Sequence, residues 1–193
     1  MARLHDLSVR GLLDETASDA PTPGGGAIAA LAGALAAGLV EMAARNSPAW
    51  ELRGAAIAQA KVLRERLSEL APLNDEVYGH ALAALRLPDA ADSDSKNELI
   101  GSSLERAAAF PLAIAEAASN VAELAAVVSE DGSAAARADA TAAAMLALGA
   151  TRAAAHLVEI NLGVQERDER LLRATRLAAD AVAASERTLA VTH

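Results

Sequence analysis

An uncharged, alanine-rich run from Ala27 to Val40 follows three consecutive glycines. Alanine is the strongest helix former, whereas the prolines and glycines at positions 21–26 disfavour helix. The run therefore predicts a helix with a sharply defined start. One face of that helix carries a small residue at every fourth position: Gly26, Ala30, Ala34 and Gly38. Such a stripe lets another helix approach closely, so we expect a central bundle helix or a subunit interface.

The composition extends this prediction to the whole chain of 193 residues. Hydrophobic residues make up 53% of it, aromatic residues only 2%, and alanine alone more than a quarter. A core with so few large rings has to form from helices that pack closely through alanine and glycine. Alternating runs of β-branched or aromatic residues, which would indicate strands, are absent. We therefore expect a single all-α domain over residues 1–193.

Proline, glycine and polar clusters divide the chain into six helical segments. Pro72 and Pro111 fall inside segments and predict kinks. Ser133 is expected to cap the start of the fifth helix, and Asn161 and Gly163 to end it. The expected limits, uncertain by about 2–4 residues, are Leu7–Ser18, Gly25–Arg45, Leu52–Leu87, Ser93–Ser129, Ala134–Leu162 and Glu166–Thr192.

The charge balance and residue types exclude several classes of function. Seventeen basic and 26 acidic residues give a formal charge of −9, which argues against nucleic acid as a partner. The absence of cysteine excludes disulfides and thiolate nucleophiles. The four histidines have no metal-ligand spacing, so no metal site is expected.

Residues 20–40 carry no charge and are long enough to query as a membrane span. Two prolines and three glycines at the start of this stretch argue against a span. The N-terminus has no basic region followed by an apolar core, which a signal peptide would need. We therefore expect a cytoplasmic protein that does not bind membranes.

The order Pro21-Thr22-Pro23-Gly24-Gly25-Gly26, followed by Ala-Ala-Leu, resembles the opening of the cyclodeaminase/cyclohydrolase family. That family includes the cyclodeaminase domain of formiminotransferase-cyclodeaminase and bacterial methenyltetrahydrofolate cyclohydrolases. Weaker matches follow in chain order through nearly the whole sequence: Leu85-Arg86-Leu87-Pro88, Phe110-Pro111-Leu112 and Ile160-Asn161-Leu162. The resemblance implies a helical homodimer or larger even assembly. It also implies a reduced folate as substrate, with no metal or organic cofactor.

Two reactions are implied by the resemblance. In one, water opens the cationic bridge of methenyltetrahydrofolate to give 10-formyltetrahydrofolate. In the other, formiminotetrahydrofolate cyclises and releases ammonia. Both need an acid/base group beside the one-carbon unit, and a carboxylate there would favour a cation.

Asp139 is the first candidate for that carboxylate, because it matches a family aspartate and lies among small apolar residues. An exposed acid near a helix start is the alternative interpretation. Asn161 is the second candidate, with a helix cap as its alternative. Asn74 is the third; it stands where the family has an aspartate, so it could hydrogen-bond but not act as a base.

The binding residues implied by the resemblance are Pro23, Gly24, Gly25, Gly26, Arg45 and Ser133. The glycines would approach the anionic part of the ligand, and Arg45 would pair with a carboxylate. Turn chemistry alone favours a glycine spacer. Glu76 and His80, four residues apart, suggest a surface ion pair more than an acid/base pair. His156, within an apolar stretch, is interpreted as a core or interface histidine before a catalytic one.

Several polar positions differ from the family pattern. Besides Asn74, they are Leu157 in place of an asparagine, Ser133 in place of another asparagine, and residues 46–50 in place of a Gly-Lys-Lys-like run. These changes keep a second hypothesis open. It is a catalytically degenerate family member that binds a folate-like ligand or acts as a structural protein.

Overall fold

The computed structural model describes residues 4–85, 93–163 and 168–191. Six α-helices and two short 3₁₀ turns, at Leu4–Asp6 and Ala134–Ala136, make up most of these ranges, which contain no strand. The helices are α1 (Val9–Thr16), α2 (Gly25–Arg45), α3 (Arg53–Leu85), α4 (Ser93–Asp131), α5 (Arg137–Leu162) and α6 (Glu169–Val191). The predicted all-α bundle is confirmed, and both limits of α2 agree with the prediction. The limits expected at Leu87, Glu166 and Thr192 lie outside the described residues.

Local chemistry accounts for several of the helix ends. The Ser133 hydroxyl accepts a hydrogen bond from Ala135 N–H at 3.3 Å, so the predicted cap is confirmed, although it caps a 3₁₀ turn ahead of α5. Gly163 has a φ of +63° and donates its N–H to Glu159 C=O, and these features end α5. Asn161 stays inside the helix, so the predicted cap role belongs to Gly163. Pro72 and Pro111 both lie within continuous helices.

The alanine-rich helix α2 packs against α3, α4 and α5, and α4 packs against all four of the other long helices. Most of its buried residues are alanine or glycine. A Cβ atom added at Gly33 would lie 3.1 Å from a methyl carbon of Leu67 on α3 and 3.5 Å from Ala118 Cβ on α4. Glycine at position 33 therefore allows three helices to meet closely. The larger core side chains that fill the remaining space include Leu67, Ile114 and Val121.

One charged group lies within this apolar packing. Glu41 on α2 is only 7% exposed. Its carboxylate pairs with Arg45 one turn later and with Arg64 Nε on α3 at 3.2 Å. Because a buried carboxylate is costly without partners, the two guanidinium groups make this position tolerable.

Two neighbouring helices leave large apolar side chains outside the bundle. On α2, Leu35 is 70% exposed and Met42 is 40% exposed. On α5, Leu146 is 45% exposed and Ile160 is 61% exposed. Because α2 and α5 contact each other, these exposed side chains lie on two neighbouring helices. We call this surface, made by Leu35, Met42, Leu146 and Ile160, the α2/α5 face.

Three helical segments are long and apolar enough to cross a membrane by length and composition. They are Gly25–Arg45, Gly101–Asp131 and Ala134–Leu162, and each is partly buried against the others in the bundle. The segment that contains α5 is the least buried of the three. Its exposed apolar side chains contribute to the α2/α5 face.

Replacement of Ala34 by Leu tests the close packing of α2. Ala34 is buried against neighbouring helices, so the larger side chain should force them apart. Overpacking of this kind costs typically ~1–3 kcal/mol of unfolding free energy. Chemical denaturation measures the loss, and Ala58→Leu on the exposed side of α3 is the matched control. Equal stability of the two variants would contradict close packing at Ala34.

Candidate functional site

The glycine turn leads into α2 without a side-chain cap. Gly24 occupies the N-cap position in an extended conformation, and the Thr22–Pro23 peptide bond is cis. The first N–H groups of a helix have no partner within the helix. With no capping side chain, those of α2 are available to an external acceptor, and they coincide with the positive end of the helix dipole.

Asn74 on α3 lies directly against this turn. It is only 8% exposed, and a Cβ atom added at Gly26 would lie 2.7 Å from Asn74 Cγ. Glycine is therefore required at position 26 for the amide to pack onto the backbone of α2. Within the described parts of the chain, the Asn74 amide has no hydrogen-bond partner. Buried amides are normally paired, so this group is available for a ligand or water.

The turn and Asn74 line a cavity of about 300 Å³ at one end of the bundle. The α3 and α4 helices and the last turns of α5 complete its walls. The lining residues are Pro21, Gly24, Gly25, Gly26, Asn74, Tyr78, Ala107, Pro111, Leu157, Ile160 and Asn161. The sequence candidates Gly24–Gly26, Asn74 and Asn161 therefore share one cavity, and Pro23 is their neighbour in the turn.

Asn161 is held in place from α4. Its side-chain Nδ2 donates a hydrogen bond to Ala107 C=O at 3.2 Å, which leaves its amide oxygen without a partner in the described residues. The last carbonyl groups of a helix form its negative end. The cavity thus lies between the positive start of α2 and the negative end of α5. This arrangement suits a ligand that carries a cation and develops negative charge on a nearby oxygen.

The other sequence candidates lie far from this cavity. Asp139 is in the first turn of α5, 22 residues before Asn161, which corresponds to about 33 Å along the helix. Arg45 is at the far end of α2, about 30 Å from Gly25. Within one chain, α2 and α5 therefore carry Arg45 and Asp139 at the ends opposite the glycine turn. A catalytic role for Asp139 stays a prediction.

Arg45 and Ser133 already have partners at the far end. Arg45 pairs with Glu41, and the Ser133 hydroxyl caps Ala135 N–H. Ser133 N–H donates to Ser47 Oγ at 2.8 Å, which ties the start of the α4–α5 turn to the end of α2. A second cavity, of about 650 Å³, lies here and is lined by residues 47–52 and 131–133. Neither Asp139 nor Arg45 lines it.

The histidine candidates are on the surface. The side chain of His156 is 66% exposed and lies 3.5 Å from Glu159, so the core alternative of its interpretation is wrong, and the interface alternative stays a prediction. Glu76 and His80 are both exposed and form no ion pair in the described part of the chain. In that same part, no three histidine or acidic side chains cluster in a way that could hold a metal ion.

Sequence reasoning missed Asp75. Its Oδ1 atom accepts a hydrogen bond from Gly24 N–H at 3.2 Å, although the two residues are 51 positions apart. Burial raises the pKa of the Asp75 carboxyl, and the hydrogen bond from Gly24 opposes part of that rise. The only local signal is an acid directly beside Asn74, and the contact itself depends on how α3 packs against α2.

Comparison with known proteins gives consistent matches. A family model described as formiminotransferase-cyclodeaminase matches residues 8–181. A methenyltetrahydrofolate cyclohydrolase from Methylorubrum extorquens is 31% identical over 93% of this chain and 93% of that protein. The crystal structure of a formiminotetrahydrofolate cyclodeaminase from Thermotoga maritima matches with a TM-score of 0.86 and 23% identity, over 97% of this chain and 96% of that one. At that identity, the structural match establishes the fold.

Replacement by alanine should change the thermal stability differently at two adjacent glycines of the cavity. A methyl group at Gly25 meets nothing within 4 Å, and alanine favours helix by up to about 1 kcal/mol over glycine. A methyl group at Gly26 collides with Asn74 and should cost typically ~1–3 kcal/mol. Thermal unfolding should therefore show Gly25→Ala at or above the parent midpoint and Gly26→Ala below it. Equal midpoints would refute the tight contact between Gly26 and Asn74.

Proposed function

The chain belongs to the formiminotransferase-cyclodeaminase family, and from that premise we propose that it hydrolyses methenyltetrahydrofolate to 10-formyltetrahydrofolate. One observation carries the proposal: the uncapped start of α2, the unpartnered amide of Asn74 and the Asn161 amide meet at one cavity. The relative with 31% identity, named for this activity, supports the choice of reaction.

The proposed reaction adds water to a carbon that is already electrophilic. The water oxygen bonds to the cationic bridge carbon and loses a proton. One of the two bridge C–N bonds then breaks, and its electron pair stays on the nitrogen, which takes up a proton. Loss of the hydroxyl proton forms the C=O bond of the formyl group. The sum is consumption of one water and release of one proton, and these steps need no metal or organic cofactor.

Each wall of the cavity has a role in this chemistry. The amide of Asn74 would orient the attacking water, because it offers both a donor and an acceptor. The free N–H groups at the start of α2 would stabilise negative charge that develops on the former water oxygen. The negative end of α5 and the oxygen of Asn161 would favour the cationic bridge before attack.

The lining favours hydrolysis over cyclisation with release of ammonia. Expulsion of ammonia needs an acid that protonates the leaving nitrogen. Of the described residues that line the cavity, Tyr78 alone has an ionisable side chain, and none is a carboxylic acid or an imidazole. Hydrolysis also moves protons to and from the water and the leaving nitrogen, but the cationic bridge carbon is already activated, so solvent water can accept and supply those protons. A lining without a strong acid therefore disfavours cyclisation more than hydrolysis.

The direct test is turnover with the purified protein. Methenyltetrahydrofolate should lose its absorbance faster than in buffer, and formiminotetrahydrofolate should release no ammonia above background. Asn74→Ala should lower the hydrolysis rate by roughly 10²–10³-fold, the effect of removing one preorganised hydrogen-bonding group. Asp139→Asn, at the far end, should have the smaller effect.

Other outcomes would decide between the remaining hypotheses. Ammonia release without methenyltetrahydrofolate hydrolysis would replace the proposed reaction with the cyclodeaminase one. Binding of either folate without turnover would indicate the catalytically degenerate family member. A larger loss in Asp139→Asn than in Asn74→Ala would move the chemistry to the other end of the bundle.

We also propose that the protein is a cytoplasmic homodimer that buries the α2/α5 face. That face carries four large apolar side chains on two adjacent helices, and exposed apolar patches of this kind favour association. A second copy offers the same face, as an isologous two-fold interface requires. In this arrangement the apolar side of α5 is covered by protein and not by lipid.

Leu35→Glu should dissociate the proposed dimer. Leu35 is the most exposed large side chain of α2, and a carboxylate there would have to be buried between copies. Light scattering should give twice the chain mass for the parent and the chain mass for the variant. Val62→Glu, a change at a similarly exposed residue on α3, is the matched control and should remain dimeric. A monomeric parent at working concentration would contradict the assembly.

A further inference from the structure

We propose that Asp75 is a positioning residue for the glycine turn: its carboxylate holds Gly24 so that the free N–H groups at the start of α2 stay aimed at the cavity. Asp75 does not line the cavity and acts through the backbone. The kinetic part of this inference rests on the proposed function. The structural part does not.

Two consecutive residues of α3, Asn74 and Asp75, contact the glycine turn. Asp75 Oδ1 accepts from Gly24 N–H at 3.2 Å, and the Asn74 side chain packs directly on the backbone at Gly26. Contacts on both sides of Gly25 therefore fix where α2 begins. The start of α2 has no side-chain N-cap, so no neighbouring side chain restrains it. Asp75 on α3 supplies this restraint instead.

A structural role alone does not require a carboxylate at this position. Asp75 is partly buried and has no ion pair in the described part of the chain. Burial without a cation disfavours the charged form, in line with the raised pKa of this group. A neutral acceptor would satisfy Gly24 N–H at a lower cost. The feature that holds the turn is therefore an oxygen acceptor at this place, which an amide can also provide.

The first readout is hydrogen exchange at the Gly24 amide, followed by nuclear magnetic resonance. Asp75→Ala removes the acceptor and should speed exchange by about tenfold or more, the usual effect of losing a hydrogen bond to a charged group. Asp75→Asn keeps an oxygen at the same place and should restore most of the protection. Glu69→Ala, an exposed change on α3, is the control and should leave exchange unchanged.

The second readout is the division of the kinetic effect between kcat and KM. Groups that act mainly in the transition state lower kcat and leave KM nearly unchanged when they are displaced. Asp75→Ala should show that pattern, Asp75→Asn should recover most of kcat, and Glu69→Ala should match the parent. Removal of a poorly solvated charge should not weaken the fold at neutral pH, and thermal unfolding of each variant checks this.

Three results would overturn the inference. They are unchanged Gly24 exchange in Asp75→Ala, no recovery of exchange or kcat in Asp75→Asn, and a kcat loss no larger than that of Glu69→Ala. If the parent protein shows no turnover, the proposed function fails, while the exchange comparison still decides whether Asp75 holds the turn. If Asp75→Ala does not fold, Asp75→Asn is compared with the parent: near-parent exchange at Gly24 supports the inference, and exchange tenfold faster contradicts it.

Discussion

Close approach of helices through alanine and glycine is the constraint on which the rest of this structure depends. A buried alanine removes little apolar area from water, so stability has to come from many such contacts and not from a few large side chains. Gly33 shows how little room remains, since even one added carbon there would press on Leu67. A core this tight leaves little space around α2 itself. The candidate cavity lies where α2 begins and α5 ends.

Buried polar groups also differ between the packed part of the bundle and the helix ends. Within the packed part of the bundle, the buried charge of Glu41 is accompanied by two guanidinium groups. At the ends, backbone N–H and C=O groups are free, and polar side chains gather around them. The candidate cavity combines the start of α2 with the end of α5, whereas the opposite end uses Ser47 and Ser133 to close its own turns. The opposite end is not fully paired either, since Ser129 Oγ, Arg137 Nε and Thr141 Oγ1 are buried there without a hydrogen-bond partner in the described residues.

The fold could be predicted because the residues that start and end a helix are neighbours in the sequence. The site could be predicted only in part, because its geometry depends on residues that are far apart in the sequence. Three glycines start α2 and Asn46-Ser47-Pro48 ends it, so both limits can be inferred from neighbouring residues. The apolar neighbours of His156 predict a core or interface position, but the outward side of α5 is apolar as well, so composition does not reveal which side faces solvent. Asp139 and Asn161 both lie on α5, and only the helix length places them at opposite ends of the molecule. The contact between Asp75 and Gly24 depends on the packing of two helices, which no pattern within either helix specifies.

Asn74 and Asp75 show how neighbouring residues on one helix can divide a task. The resemblance places an aspartate of the family at position 74, where this chain has a neutral amide. A neutral group tolerates burial against Gly26 better than a carboxylate does, and it can still orient water through its donor and acceptor atoms. The carboxylate stands one position later, where it contacts the backbone of the turn and remains partly hydrated. The charge therefore lies next to the cavity without lining it, so it can restrain the N–H groups that face a ligand while the lining itself stays neutral.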